Sequence, residues 1–110
     1  MVSSDLLRGH LETILLRLIG ETDRYGYELF SEIDGRAGGR LVVKEATLYA
    51  VLQRLERQGY ITSYQGDVSG GSKRRYYHMT PLGKANLEQG IREWHEAQEI
   101  INIFLRGNIQ

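Results

Sequence analysis

Three amphipathic helices, a β-hairpin and one long final helix are what this 110-residue sequence predicts: a mainly α chain with a small β-hairpin. Three observations carry the prediction. Leu48, Val51, Leu52 and Leu55 recur at the i, i+3, i+4, i+7 spacing of a buried helix face, and Gly59 follows where a left-handed stop is favoured. Residues 60–67 and 73–79 read as strands on either side of the turn residues Val68-Ser69-Gly70-Gly71-Ser72. Thr80-Pro81 is a strong helix start, and apolar residues recur beyond it as far as Leu105.

In chain order, a first helix is expected over residues 5–19. Leu7, Leu11, Ile14, Leu15 and Leu18 form its inner face, Ser4 is its N-cap and Gly20 its stop. A second helix over 25–33 uses Tyr25, Leu29 and Ile33, and is expected to end in the glycine-rich stretch from Gly35 to Gly39. Leu41-Val42-Val43 suits one brief strand. The third helix covers 45–58, the hairpin 60–79 and the last helix 81–106. Helix, helix, helix, hairpin is the winged helix-turn-helix order. The expected division is residues 1–80 as a winged helix-turn-helix DNA-binding domain and 81–110 as a C-terminal dimerisation helix, in one compact unit.

Formal net charge is zero, but its distribution is uneven. Residues 1–39 carry four basic and seven acidic groups, 40–75 carry seven and three, and 76–110 carry three and four. The middle third is therefore positive, and a local patch matters more to a polyanion than the total. No cysteine is present, which excludes disulfides and thiolate metal sites. The longest apolar run, near residues 14–19, is broken by Arg17, so no membrane span is expected and the protein reads as cytoplasmic. The serines show no nucleophile motif, and His10, His78 and His95 share no metal-ligand spacing, so neither an enzyme nor a metal site nor a cofactor is expected.

With the leucines of the third helix turned inward, Ala46, Ala50, Gln53 and Arg57 lie on the opposite side, flanked by Thr47, Tyr49 and Arg54. Small residues allow close approach to a major groove, and Thr, Gln or Arg can meet base edges and phosphates. A solvated helix face explains the same residues equally well when taken alone. The hairpin sharpens the choice. Lys73-Arg74-Arg75 repel one another unless an anion neutralises them, and a phosphate backbone along a wing supplies that anion. A charged strand edge that blocks aggregation is the plainer alternative.

These residues also carry a resemblance. Tyr25-Gly26-Tyr27-Glu28-Leu29, Glu45-Ala46-Thr47-Leu48-Tyr49, Arg54-Leu55-Glu56 with Gly59, and Lys73-Arg74-Arg75-Tyr76-Tyr77 with Thr80 and Gly83 closely resemble PadR regulators over roughly residues 11–104. Two positions depart from the family pattern: Lys44 where a capping residue is expected, and Met79 where Leu is usual. The resemblance implies a dimeric repressor that binds a pseudo-palindromic operator in double-stranded DNA and releases it on binding an effector. It also implies DNA contacts from Lys44, Thr47, Tyr49 and Arg54 on the helix and from Lys73, Arg74 and Arg75 on the wing. For Tyr49, packing against the second helix is an equal alternative.

In the last helix Leu87, Ile91, Trp94, Gln98, Ile101 and Leu105 recur at alternating spacings of four and three, a short heptad seam suited to a second copy of the chain. Trp94 in its middle reads as an interface anchor, or as the wall of a flat aromatic pocket. The sequence is similar to the short PadR regulators that sense multidrug compounds. That similarity implies planar hydrophobic small molecules held between paired tryptophans, with Leu6, Gly9, His10 and Thr13 of the first helix and Ile91 and Gln98 of the last completing the pocket. A winged helix used only for protein–protein contact is the rival reading; it has no need of the basic triplet.

Overall fold

The computed structural model describes residues 2–3, 7, 9–67 and 73–106. In order these form β1 (Val2–Ser3), α1 (Leu11–Glu21), β2 (Arg24–Tyr25), α2 (Gly26–Ala37), β3 (Leu41–Val42), α3 (Glu45–Arg57), β4 (Ile61–Asp67), β5 (Lys73–Met79) and α4 (Pro81–Arg106). One antiparallel sheet has the order β2-β5-β4, and β1 pairs with β3 in parallel. Four helices and a three-stranded wing make a winged helix-turn-helix with a long C-terminal helix, the expected fold class.

α1 is the centre of the core. Leu11, Leu15, Leu16, Leu18 and Ile19 are buried against Leu29 and Ile33 of α2, the four inward residues of α3, Ile61 and Tyr77 of the wing, and Leu87 of α4. The helix begins at Leu11 rather than at position 5. Gly9 has φ +90°, outside helical space, and His10 N–H closes a turn onto the Leu7 carbonyl at 2.8 Å. The expected cap Ser4 lies outside the described residues. α2 runs through Gly35 and stops at Gly38, whose φ of +61° lets its N–H reach the Asp34 carbonyl. A glycine that keeps helical dihedrals weakens a helix without ending it; the left-handed one ends it.

α3 ends as expected, with Gly59 at φ +82°. Its start has no side-chain cap, as Lys44 at that position leads one to expect. At the head of α4 the Thr80 hydroxyl accepts the Gly83 N–H at 3.1 Å and donates to the Gly59 carbonyl at 2.6 Å, so one side chain caps α4 and ties it to the end of α3. β2 is a strand that periodicity could not reveal. Its two residues pair with Tyr77 and Tyr76, and Tyr25 is the extended N-cap of α2, its N–H held by the Glu28 carboxylate at 3.1 Å.

An ion-pair network joins the end of α1 to α2. Glu21 accepts from Arg36 at 2.6 Å and Arg24 at 3.1 Å, and Glu32 accepts from Arg36 at 2.9 Å. Hydrogen bonding to Arg36 lowers the Glu21 carboxyl most; desolvation opposes it, but with the charge of Arg36 and the hydrogen bond and charge of Arg24 the carboxyl is held down at about 2. A carboxyl depressed in the folded state stabilises the fold above its unfolded value and loses that contribution as pH falls from about 4.5 through about 2. Thermal melts between pH 5 and pH 2.5 are expected to fall less steeply for Glu21→Gln than for the wild type, and the difference is expected to shrink at high salt.

Candidate nucleic-acid interface and adjoining cavities

The outward face of α3 carries Lys44, Ala46, Ala50, Gln53, Arg54 and Arg57, all exposed, with Thr47 half-buried beside them. Burial of Leu48, Val51, Leu52 and Leu55 on the other face produces this arrangement. Tyr49 is placed differently from its neighbours. It is 37% exposed, its ring meets Phe30 edge-on at 6.5 Å, and it lies across Gly26 so closely that a Cβ there would sit 2.1 Å from its hydroxyl. The glycine of Tyr25-Gly26-Tyr27-Glu28 is thus the seat on which the tyrosine of Thr47-Leu48-Tyr49 docks α3 against α2. Tyr49 packs, as one of its two expected roles requires.

The wing divides the basic triplet. Side chains alternate across a strand, so Arg75 lies on the side of buried Tyr77 and Arg74 on the other. Arg75 reaches back to Glu56 of α3 at 3.3 Å, Arg74 lies over the Tyr25 ring at 4.4 Å, and Lys73 is exposed at the end of β5. The three cations do not form one cluster: the pleat separates Arg74 from Lys73 and Arg75 and so reduces the repulsion inferred from their adjacency. The turn at residues 68–72 lies outside the described residues.

The outer face of the wing was not foreseen as a unit. Tyr76 stacks on Tyr64 at 5.7 Å, meets Tyr25 edge-on at 5.5 Å, and covers Gly66 of the neighbouring strand. Asp23 accepts from the Tyr64 hydroxyl and bonds His78 Nδ1 at 2.8 Å, bracing the sheet against the end of α1. Burial pushes the Asp23 carboxyl up, but its bonds to Tyr64 and His78 outweigh this and hold it below its ordinary value. Register explains the cluster: Tyr64 faces Tyr76 and Thr62 faces His78.

Two apolar cavities flank the crossing of α1 and α4, where Thr13 abuts Gly90. The smaller, about 280 Å³, is lined by Leu7, His10, Thr13, Ile14, Ile91 and Trp94. The His10 ring meets Trp94 edge-on at 5.2 Å. Four expected pocket residues, His10, Thr13, Ile91 and Trp94, are therefore brought together. Leu7, which periodicity assigned to the core face, joins them because it precedes the late start of the helix, and Ile14 joins them while packing partly against the core. Gly9 and Gln98 do not line the cavity, and Leu6 lies outside the described residues. The larger cavity, about 500 Å³, shares the wall of Thr13, Ile14 and Ile91 and continues over Leu18, Ile33 and Leu41 to a rim of Arg17, Glu32 and Arg36.

Along the expected seam of α4, Leu87 is buried in the chain's own core and is unavailable to a partner, and Ile91 packs partly against that core. The structure corrects the seam at this end, because the first two turns of α4 are needed to cover α1. Trp94, Gln98, Ile101 and Leu105 are exposed. So are Ile100, Ile103 and Phe104, which a single heptad seam does not include. Among the described residues no helix is long and apolar enough to cross a membrane.

The model of the PadR-like family of transcriptional regulators matches residues 15–89. An uncharacterised protein of Lysinibacillus sphaericus is 56% identical over 107 residues, covering 97% of this chain and 98% of its own. The transcriptional regulator Rv3488 of Mycobacterium tuberculosis is 36% identical over 88 residues, covering 79% of this chain and 78% of its own. Among solved structures, a transcriptional regulator from Clostridium thermocellum superposes with a TM-score of 0.88 at 40% identity, over 96% of this chain and 100% of that one.

Proposed function

The chain belongs to the PadR-like family of transcriptional regulators, which are not enzymes, and from that premise we propose that it is a homodimeric DNA-binding repressor acting in the cytoplasm. The observation that carries this reading is the outward face of α3. Ala46, Ala50 and Gln53 are uncovered, with side chains small or neutral enough to enter a groove, while Lys44 at the N-cap and Arg54 on the same helix add positive charge and Lys73 is exposed at the end of β5. Glu56 of α3 holds Arg75 of β5, so helix and wing form one continuous surface. Thr47 sits at its edge. Tyr49 serves chiefly to seat α3, and Arg74 presents its guanidinium from the outer face of the wing.

A second copy supplies the cover for the exposed end of α4. Two-fold pairing would place two α3 helices on successive turns of a pseudo-palindromic operator, roughly 34 Å apart. It would also bring the Trp94 cavities of the two copies toward the same axis. A planar hydrophobic effector filling them would change how the protomers sit and so release DNA. Trp94 is 43% exposed beside a cavity with an apolar lining, which suits such a ligand.

The test begins with selection of binding duplexes from a random pool by the wild-type protein, followed by fluorescence anisotropy against the selected and a random duplex at several salt concentrations. Two protomers per duplex and a steep negative salt slope are expected. Lys44→Glu with Lys73→Glu is expected to weaken binding to every duplex at least about tenfold and to flatten the salt slope by about 2. Trp94→Ala is expected to abolish binding of a planar dye while selected-duplex binding persists. A wild-type protein that enriches no sequence, or charge reversals without effect, would favour the protein-interaction reading instead.

A further inference from the structure

Arginines on the expected DNA face are not loose arms. Arg54 of α3 donates its Nε to Glu12 of α1 at 2.6 Å, across 42 residues of chain. The guanidinium is 45% exposed and the carboxylate 27%, so the pair lies at the rim of the surface rather than beneath it. Arg75 of the wing is held in the same manner by Glu56, which is itself fixed by the Ser63 hydroxyl at 2.6 Å. Two basic residues from different elements thus each have a carboxylate behind them.

A carboxylate at this place has two opposed effects on a polyanion. It repels phosphates, since it lies well inside the roughly 8 Å over which charges act at physiological salt. It also fixes the planar guanidinium, whose five N–H donors are useful for reading only in a definite orientation; the Glu12 bond engages Nε. Repulsion acts on every duplex alike. Orientation helps only where base edges and phosphates stand in the matching positions. The two effects together lower non-specific binding more than specific binding, and so act on discrimination rather than on affinity.

We propose that Glu12 and Glu56 are positioning residues for DNA discrimination, which hold Arg54 and Arg75 in the orientation that the operator requires. This rests on the DNA-binding reading given above. Glu12 also stands two residues after the cavity residue His10, the N-cap of α1, and directly before Thr13, so the helix that lines the cavity is the helix that holds the α3 arginine.

Anisotropy of Glu12→Gln on the selected and the random duplex tests the inference. Random-duplex affinity is expected to rise about three- to tenfold, with a salt slope steeper by up to about 1, as Arg54 is freed to pair with any phosphate. Selected-duplex affinity is expected to change less than threefold, so the ratio of the two falls by up to about tenfold. In an Arg54→Ala background, Glu12→Gln is expected to leave that ratio unchanged; a fall in the ratio that depends on Arg54 is what a merely stabilising role for Glu12 would not produce. Glu56→Gln is the second variant, and its thermal midpoint separates a folding defect from loss of discrimination. Equal gains on both duplexes would overturn the inference, leaving the acids as simple repulsive charges. A wild-type protein that selects no sequence would overturn the DNA-binding reading and the inference with it.

Discussion

Gly83→Ala is expected to destabilise the protein by about 3 kcal/mol and lower Tm by roughly 10–20 °C, although helix propensity alone favours alanine by about 1 kcal/mol. The reason is contact, not backbone freedom. A Cβ at Gly83 would lie 2.0 Å from the Tyr60 carbonyl oxygen and 2.9 Å from its carbon, and main-chain atoms cannot swing aside as a side chain can. That oxygen already accepts the Thr80 N–H at 3.1 Å, so displacing it strains the junction where α3, the wing and α4 meet. Gly35→Ala is the matched control. It stands inside α2 with open space around its would-be Cβ, and it is expected to stabilise by roughly 0.5–1 kcal/mol. Differential scanning calorimetry of the two variants checks both signs. Stabilisation by Gly83→Ala would mean that α4 does not press on Tyr60 as described.

What the sequence made legible follows the range of the forces involved. α3, the hairpin strands and the start of α4 were readable because each is specified locally: the i, i+3, i+4, i+7 leucines, the strands either side of the glycine-rich turn, and a threonine followed by proline. The start of α1 was not readable, because apolar spacing at Leu7 cannot show that Gly9 takes a positive φ. β2 was missed because two residues carry no period, and only pairing with Tyr76 and Tyr77 makes them a strand. Within the site, the exposed face of α3 followed from its buried one. Packing of Tyr49 against the second helix was one of two readings the sequence left open, and its seat on Gly26 decides between them. The contact of Glu12 with Arg54 was not legible, because it joins residues far apart in the chain. Lys73-Arg74-Arg75 shows the opposite error. Residues adjacent in sequence read as one cluster, and the pleat sends Arg74 to the other face of the wing.

For the homodimer proposed above, Ile101→Glu with Phe104→Glu is expected to abolish pairing and with it to lower affinity for the selected duplex at least about 100-fold. α4 has 26 residues, and its buried positions are Gly83 and Leu87, both near its start. Near its other end Ile100, Ile101, Ile103, Phe104 and Leu105 are all exposed, Phe104 by 79%. At about 100° per residue, Ile101 and Leu105 continue the line of Trp94 and Gln98, whereas Ile100 and Phe104 lie to one side and Ile103 faces the opposite way. A helix that is apolar around most of its circumference is one that is buried on most sides. A flat seam between two α4 helices would cover only Ile101 and Leu105. An apolar trough in the partner would cover the rest, and the 500 Å³ cavity over Ile14, Leu18, Ile33 and Leu41 is of that kind. A glutamate at position 101 would have to enter the apolar seam and one at position 104 the apolar trough, which disfavours association more than removal of the apolar groups alone. Sedimentation velocity at micromolar protein measures the oligomer, and anisotropy measures the duplex affinity. Because pairing stabilises each protomer by mass action, the variant is also expected to melt lower and to lose the dependence of Tm on protein concentration. A variant that remains dimeric would place the interface elsewhere than the end of α4. A variant that is monomeric yet binds DNA as tightly as before would show that each winged helix reads its site alone, and pairing of half-sites would then have no part in recognition.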